Sequence, residues 1–185
     1  FTCFTLCGIV SYLNPVMAKV IAELCQNHNG DRGLIREMVA EASSSGAHYA
    51  KLQTLHSSQL THRQRFDNGL LEGGVTKVIK RPYDAELSRL SLLDITDSDV
   101  EFFLECCKDS NITPMTTVFT RDVVDKTFNQ GFSCIKLASF DCISLPLAED
   151  ILSHNPELLI ASTGCTYDYE IQSMANLYRA PHKVV

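Results

Sequence analysis

IAELCQNHNG, residues 21–30, is the stretch on which the fold turns. Lys19–Leu24 is short and apolar enough for a strand buried on both faces, and it runs into Asn27-His28-Asn29-Gly30, a cluster of turn formers. Asp31–Ser45 then sets Leu34, Ile35, Met38, Val39 and Ala42 at helical spacing, with Gly46 as the stop. The unit is strand, turn, helix. It recurs as strands over Tyr49–Thr54, Ile112–Val118, Cys134–Ala138 and Leu158–Ala161. Helices are expected over Asp97–Ser110, Arg121–Gln130 with Gly131 as its stop, Leu145–His154 and Tyr167–Tyr178, and His182–Val185 reads as the start of a sixth strand. Strands that alternate with helices in this way require a parallel sheet, because parallel neighbours need crossovers of that length.

Two parallel architectures compete. A doubly wound nucleotide fold carries GxGxxG or GxxxxGK[ST] after its first strand, and neither pattern occurs among the nine glycines. A TIM barrel places its chemistry at the carboxyl ends of several strands. That is where IAELCQNHNG, AKLQT (50–54), TTVFT (116–120), KLASFD (136–141) and ASTG (161–164) all fall. The expected fold is therefore α/β, an incomplete (β/α)8 barrel of about five βα units and the start of a sixth strand. An open parallel sheet is a poor stopping point, so the chain is expected to continue beyond Val185.

Composition narrows the function. The net charge of −6, with no basic run longer than Lys80-Arg81, argues against a nucleic-acid partner. Eight cysteines without a CxxC pair, mostly inside apolar runs, read as reduced thiols of a cytoplasmic protein. Residues 1–16 are uncharged and apolar, lack a basic leader and are too short to span a bilayer. They are read as sequence upstream of the natural start, the other reading being a hydrophobic N-terminal strand or anchor. Met17 opens the motif-bearing part, 17–185, and no membrane partner is expected.

The strand ends suggest an anion site. Lys51 and Lys136 both lie on strands, and with the hydroxyls of Thr117, Ser139 and Ser162 they form a plausible phosphate cradle. Glu23 and Asp141 add carboxylates at the same level, suited to holding sugar hydroxyls or moving a proton. His48, His56, His62, His154 and His182 are not at metal-ligand spacing and read as surface or turn residues. Asn27 and His28 either line the site or only make the turn.

IAELCQNHNGD (21–31), AKLQT, KRPYDAELSRL (80–90), TTVFT, KLASFD and STG (162–164), in this order and spacing, resemble the sialic acid synthase family, which includes the pseudaminic and legionaminic acid synthases. The resemblance covers about residues 17–185. It implies a barrel enzyme that condenses phosphoenolpyruvate with an N-acetylated amino sugar such as N-acetylmannosamine, releasing phosphate. By position in the motifs, Lys51, Thr117, Lys136, Ser139 and Ser162 would bind phosphoenolpyruvate, while Glu23 and Gln53 would contact the acceptor sugar. Asn27 falls within the family's turn signature. Asp141 stands where many members have glutamate, one methylene longer, in a position linked to proton transfer. The family also implies Mn2+ or Mg2+, with ligands on later strands beyond Val185, and a homodimer in which a small C-terminal domain reaches the partner's site. The 185-residue chain alone is accordingly expected to be inactive. The alternatives are another phosphoenolpyruvate-condensing sugar acid synthase, or an inert partial product.

Leu55–Ile95 is long for a connection inside a compact domain. It resembles the family's second loop over the barrel mouth. Arg81 and Tyr83 either order it near the substrate or serve as a surface charge and an aromatic staple.

Overall fold

The computed structural model describes residues 18–164 and 166–178. Residues 1–16, Met17 and the expected sixth strand at His182–Val185 lie outside the described residues. Element order is β1 (Ile21–Cys25), α1 (Arg32–Ser44), β2 (Tyr49–Gln53), α2 (Arg65–Asn68), β3 (Leu70–Glu72), β4 (Val75–Val78), α3 (Tyr83–Ser91), α4 (Asp97–Asp109), β5 (Thr113–Val118), α5 (Val124–Gln130), β6 (Cys134–Leu137), α6 (Leu145–Ser153), β7 (Leu158–Ala161) and α7 (Asp168–Tyr178).

Five strands form one parallel sheet in the order β1-β2-β5-β6-β7. Each strand pairs with the next strand of that sheet in chain order, and α1, α4, α5 and α6 make the crossovers. This is the sequential winding of a barrel rather than the reversing order of a doubly wound sheet. Alternation along the strands sorts the side chains onto two faces. Leu52, Val118, Ile135, Leu137 and Leu159 face the helices, where they join one buried cluster with Ile35, Val39, Phe103, Cys107, Val124, Leu147 and Ile151. Lys51, Gln53, Met115, Thr117, Cys134 and Lys136 share the opposite face, which becomes the inside of a barrel. A continuous apolar layer on one face and polar groups on the other fix the register, since a slip of one residue would bury Lys51 and Lys136 among the helices.

Short-range chemistry sets the helix ends. Asp31 caps α1, its Oδ1 accepting from Gly33 N at 2.6 Å and Leu34 N at 3.3 Å. Thr96 and Asp99 form a capping box at the start of α4. Gly131 closes α5 in the left-handed region at φ 111°. Arg32 Nε then bonds Asp99 Oδ1 at 2.7 Å, tying the α1 start to the α4 start.

The segment between β2 and α4, expected as a long loop over the barrel mouth, carries secondary structure of its own. A 3₁₀ turn at Ser57–Gln59 is capped by His56 and held by Asp94, whose oxygens accept from Ser57 N at 2.6 Å and Ser57 Oγ at 2.5 Å. α2 follows, then the antiparallel hairpin of β3 and β4 turning at Gly73-Gly74, both residues at positive φ. Gly69 is obligatory there: at φ 64°, a Cβ would sit 2.8 Å from Val78 O. α3 returns the chain to the barrel.

Candidate active site at the carboxyl ends of the strands

Glu23 and Lys51 are direct register partners on β1 and β2. Lys51 is 3% exposed, and its Nζ lies 2.7 Å from Glu23 Oε2 and donates to Thr117 Oγ1 at 2.9 Å. A buried ammonium needs such partners, because the cost of leaving water is otherwise uncompensated. Glu23 is itself steadied by the Cys25 N–H, which donates to Oε1 at 3.1 Å. One row above, Gln53, Thr117 and Lys136 are register partners across β2, β5 and β6.

Lys136 differs from Lys51. It is half-buried, and among the described residues it forms no ion pair and its one hydrogen bond is a long 3.5 Å contact to Leu137 O. Burial, and then the positive charge of Lys51, push its ammonium below the ordinary lysine range, while Glu23 and Asp141 pull the other way. A cation in that state gains most from an incoming anion.

Ser139 and Ser162 stand beyond the ends of β6 and β7 with their hydroxyls 2.9 Å apart. Ser162 N donates to Leu137 O at 3.2 Å, which brings the two loops together. Gly164 makes room for the pair, since a Cβ there would come within 3.1 Å of Ser139 Oγ. Asp141 sits in the turn after β6, its backbone N–H donating to Ala138 O at 3.0 Å. Its carboxyl is raised above the usual range by burial, against the pull of Arg63 first and Lys136 second.

Over this rim lies a cleft of about 630 Å³. Its floor is Gln26, Gln53, Thr120, Ala138 and Asp141, and its roof is carried by the 55–95 segment. Arg81 and Tyr83, the two roof residues that stand out in the sequence, both line it. Their backbones also order the roof: Arg81 N donates to Phe66 O at 2.7 Å, and Tyr83 N to Asp67 Oδ1 at 3.1 Å. Arg63, Phe66, Phe119 and Phe140 line the same cleft and are not legible beforehand, because no local pattern marks a side chain that reaches the site only by tertiary folding.

The turn after β1 divides its residues. Asn27 is exposed and contributes its backbone N–H to Leu24 O at 3.1 Å. His28 is fully buried, its Nδ1 accepting from Gly30 N at 3.0 Å, so it fastens the turn from inside. Burial lowers its pKa against the pull of Asp99. His56, His62 and His154 each approach an aspartate, at 3.3, 2.7 and 2.8 Å. Among the described residues no group of three or more His, Cys, Asp or Glu could hold a metal ion. Also among the described residues, no helix is long and apolar enough to cross a membrane.

Comparison with known proteins places this geometry in context. The chain is 26% identical over 166 residues to N,N'-diacetyllegionaminic acid synthase of Campylobacter jejuni, covering 85% of the chain and 46% of that protein. It is 25% identical over 164 residues to pseudaminic acid synthase of Helicobacter pylori, covering 87% of the chain and 46% of that protein. The chain thus spans a little under half the length of these relatives. In three dimensions it is similar to the N-acetylneuraminic acid synthetase of Leptospira borgpetersenii, with a TM-score of 0.72 at 20% identity, covering 89% of the chain and 52% of that structure. A DAHP synthase of Thermotoga maritima aligns with a TM-score of 0.60 at 12% identity over 90% of the chain and 40% of that structure, a likeness of fold alone. Residues 38–184, most of the chain, match the NeuB family, and the chain belongs to that family.

Proposed function

We propose that the full-length protein condenses phosphoenolpyruvate with an N-acetylated amino sugar, N-acetylmannosamine or a relative, to give a sialic acid and inorganic phosphate. The observation that carries this reading is the unequal lysine pair: Lys51 already neutralised by Glu23, and Lys136, which among the described residues forms no ion pair, on the strand that leads to the paired serine hydroxyls. Phosphoenolpyruvate brings a phosphate and a carboxylate together, which suits a charged ammonium flanked by neutral donors. Lys136, Ser139 and Ser162 bind the anion, while Lys51 holds Thr117 and Glu23 at fixed positions beneath it.

The acceptor occupies the cleft between Gln53 and the roof. Its open-chain aldehyde is attacked by the methylene carbon of phosphoenolpyruvate, forming the new carbon–carbon bond and leaving cationic character at the neighbouring carbon. Water adds to that carbon and phosphate departs. Glu23 and Asp141 are the groups at hand to take the water's proton and to protonate the new alkoxide. A divalent metal, when supplied by residues outside those described, would polarise the aldehyde. The same reading makes the protein a cytoplasmic homodimer acting on small soluble substrates, with no nucleic-acid or membrane partner.

The test is phosphate release by the full-length protein given phosphoenolpyruvate, N-acetylmannosamine or a diacetylated analogue, and manganese. Release that depends on both substrates, with a nine-carbon sugar acid as product, is expected. No release with any N-acylated hexosamine would overturn the reading.

A further inference from the structure

Among the described residues four that are not glycine have a positive φ, and three of them, Asn29, Asn111 and Asn155, are of the type that tolerates it. The fourth is Cys25, the last residue of β1, at φ 54°. It stands where β1 and β2 fall out of step. Glu23 pairs with Lys51 and Cys25 with Leu52, so two steps along β1 answer one along β2. This is a β-bulge, an irregularity that re-aims groups beside active sites. The left-handed region crowds the Cβ of a cysteine, and such a conformation persists only where the surrounding structure holds it.

What holds it here is the carboxylate two residues back. The Cys25 N–H donates to Glu23 Oε1 at 3.1 Å. The other oxygen, Oε2, lies 2.7 Å from Lys51 Nζ, which in turn donates to Thr117 Oγ1 at 2.9 Å. The Glu23 side chain is 44% exposed, so packing alone does not choose its rotamer. Lys51 fixes one oxygen and leaves the carboxylate free to turn about it. The Cys25 N–H fixes the second, and with it the plane of the group.

We propose that Cys25 is a positioning residue for Glu23: the left-handed bulge that ends β1 turns its N–H onto the carboxylate and, with Lys51, sets the orientation in which Glu23 meets the acceptor. The consequence for catalysis rests on the synthase reading, whereas the hydrogen bond does not. The same conformation opens the following turn, in which Asn27 N donates to Leu24 O at 3.1 Å and Cys25 takes the second position, where primed β-turns need a positive φ. One strained residue thus serves both the turn and the carboxylate. The role belongs to its backbone and not to its thiol.

The test uses the full-length protein with Cys25→Val, Cys25→Gly and Glu23→Gln. Proton–nitrogen NMR follows the amide at position 25 through the carboxyl titration range. Its proton is expected to move downfield as the Glu23 carboxyl ionises, in the parent and in Cys25→Gly, and to lose that titration in Glu23→Gln. A titration that survives Glu23→Gln overturns the proposal, whether or not the protein turns over and whether or not Cys25→Val folds. In the kinetic arm, Cys25→Val brings a β-branched side chain that the left-handed region excludes. Its kcat should fall roughly tenfold to a hundredfold, the scale for a displaced reacting group, with KM for phosphoenolpyruvate unchanged. Cys25→Gly is the rescue: it takes the same φ without a Cβ, so kcat should return to the parent's and the denaturation midpoint should rise. A kcat in Cys25→Gly as low as in Cys25→Val would make the thiol the acting group, and a kcat equal in parent and both variants would leave the N–H contact idle. Either result overturns the positioning role. If the unaltered protein releases no phosphate, the synthase reading fails while the amide titration still decides the pairing.

Discussion

The sheet and the roof above it are built on opposite principles. The sheet is specified twice over, by apolar residues that alternate toward the helices and by register rows that bring Glu23, Lys51, Thr117 and Lys136 into line. The roof buries little. In β3 and β4 nearly every residue is exposed, with Leu71 at 70% and Val75 at 57%. It is held by point fastenings instead: Asp94 on Ser57, Phe66 on Arg81, Asp67 on Tyr83. Segments held mainly by exposed polar contacts open at lower free energy than packed cores. The contrast teaches a division of labour: on the proposed reading, a packed floor holds the anion and a less packed roof covers the acceptor.

The largest effect should come from the floor. Lys136→Met removes the ammonium that forms no ion pair among the described residues, and kcat/KM for phosphoenolpyruvate is expected to fall by about 10³-fold, the order seen when one charge-stabilising group is lost. The same change should raise stability at neutral pH. Lys136 has its pKa lowered in the folded state, so between that lowered value and 10.5 the unfolded chain binds more protons than the folded one. Stability of the parent should therefore rise with pH through this window, and the rise should be missing in Lys136→Met. Urea melts at neutral and alkaline pH check both parts; a destabilised variant would mean that Lys136 is a structural residue and that floor and function are not separable.

Phe103→Ala comes next. Phe103 is fully buried in α4 and stacks on Phe132 with ring centroids 6.2 Å apart, so its loss should cost about 3–5 kcal/mol. The loss should appear as a large drop in the denaturation midpoint, whereas a loss under about 1 kcal/mol would show that the helix layer, like the roof, is loosely held.

How much of this was legible follows from the same division. The floor could be read because it is local and periodic. A βα unit announces itself in residues such as Leu34, Ile35, Met38 and Val39, and observed strand and helix ends differ from the expected ones by only a residue or two. The exception is Arg121–Gln130, where a 3₁₀ turn at Arg121–Val123 precedes α5. Strand-end motifs then located Lys51, Thr117, Lys136, Ser139 and Ser162, and the structure brings them to one rim. The roof's place over the barrel mouth was expected from the resemblance, but its internal structure could not be read. Nothing near Arg63 in sequence predicts that it lines the cleft, and the hairpin's short strands lack the apolar alternation that would have revealed them. The two lysines looked equivalent as strand residues; Glu23 on the neighbouring strand, the Thr117 hydroxyl and deeper burial set Lys51 apart.

A smaller effect is expected at the junction between the two regions. Ser139→Ala deletes one hydroxyl of the pair proposed to bind the anion, leaving Ser162 Oγ with water as its replacement partner. One neutral hydrogen bond is worth about 0.5–1.5 kcal/mol net, so KM for phosphoenolpyruvate should rise roughly threefold to tenfold with folding stability little changed. A rise beyond a hundredfold would assign the hydroxyl a larger part than binding.

The smallest change should come from the roof's outer face, and it is the one that tests the comparison most directly. Leu71 and Val75 lie at the hairpin's tip, away from the helix-side core, and flank the Gly73-Gly74 turn. The double change Leu71→Thr and Val75→Thr puts β-branched residues at both positions and so preserves hairpin propensity while removing exposed apolar surface. Because that surface is already in water, stability should move by no more than about 0.5 kcal/mol. Apolar side chains left on a short exposed hairpin do not contribute to a fold that gains its stability elsewhere. A loss of about 2 kcal/mol or more would mean that the hairpin is packed in solution against a surface the described chain does not supply. The roof would then be a second structural region rather than a cover hinged on polar fastenings.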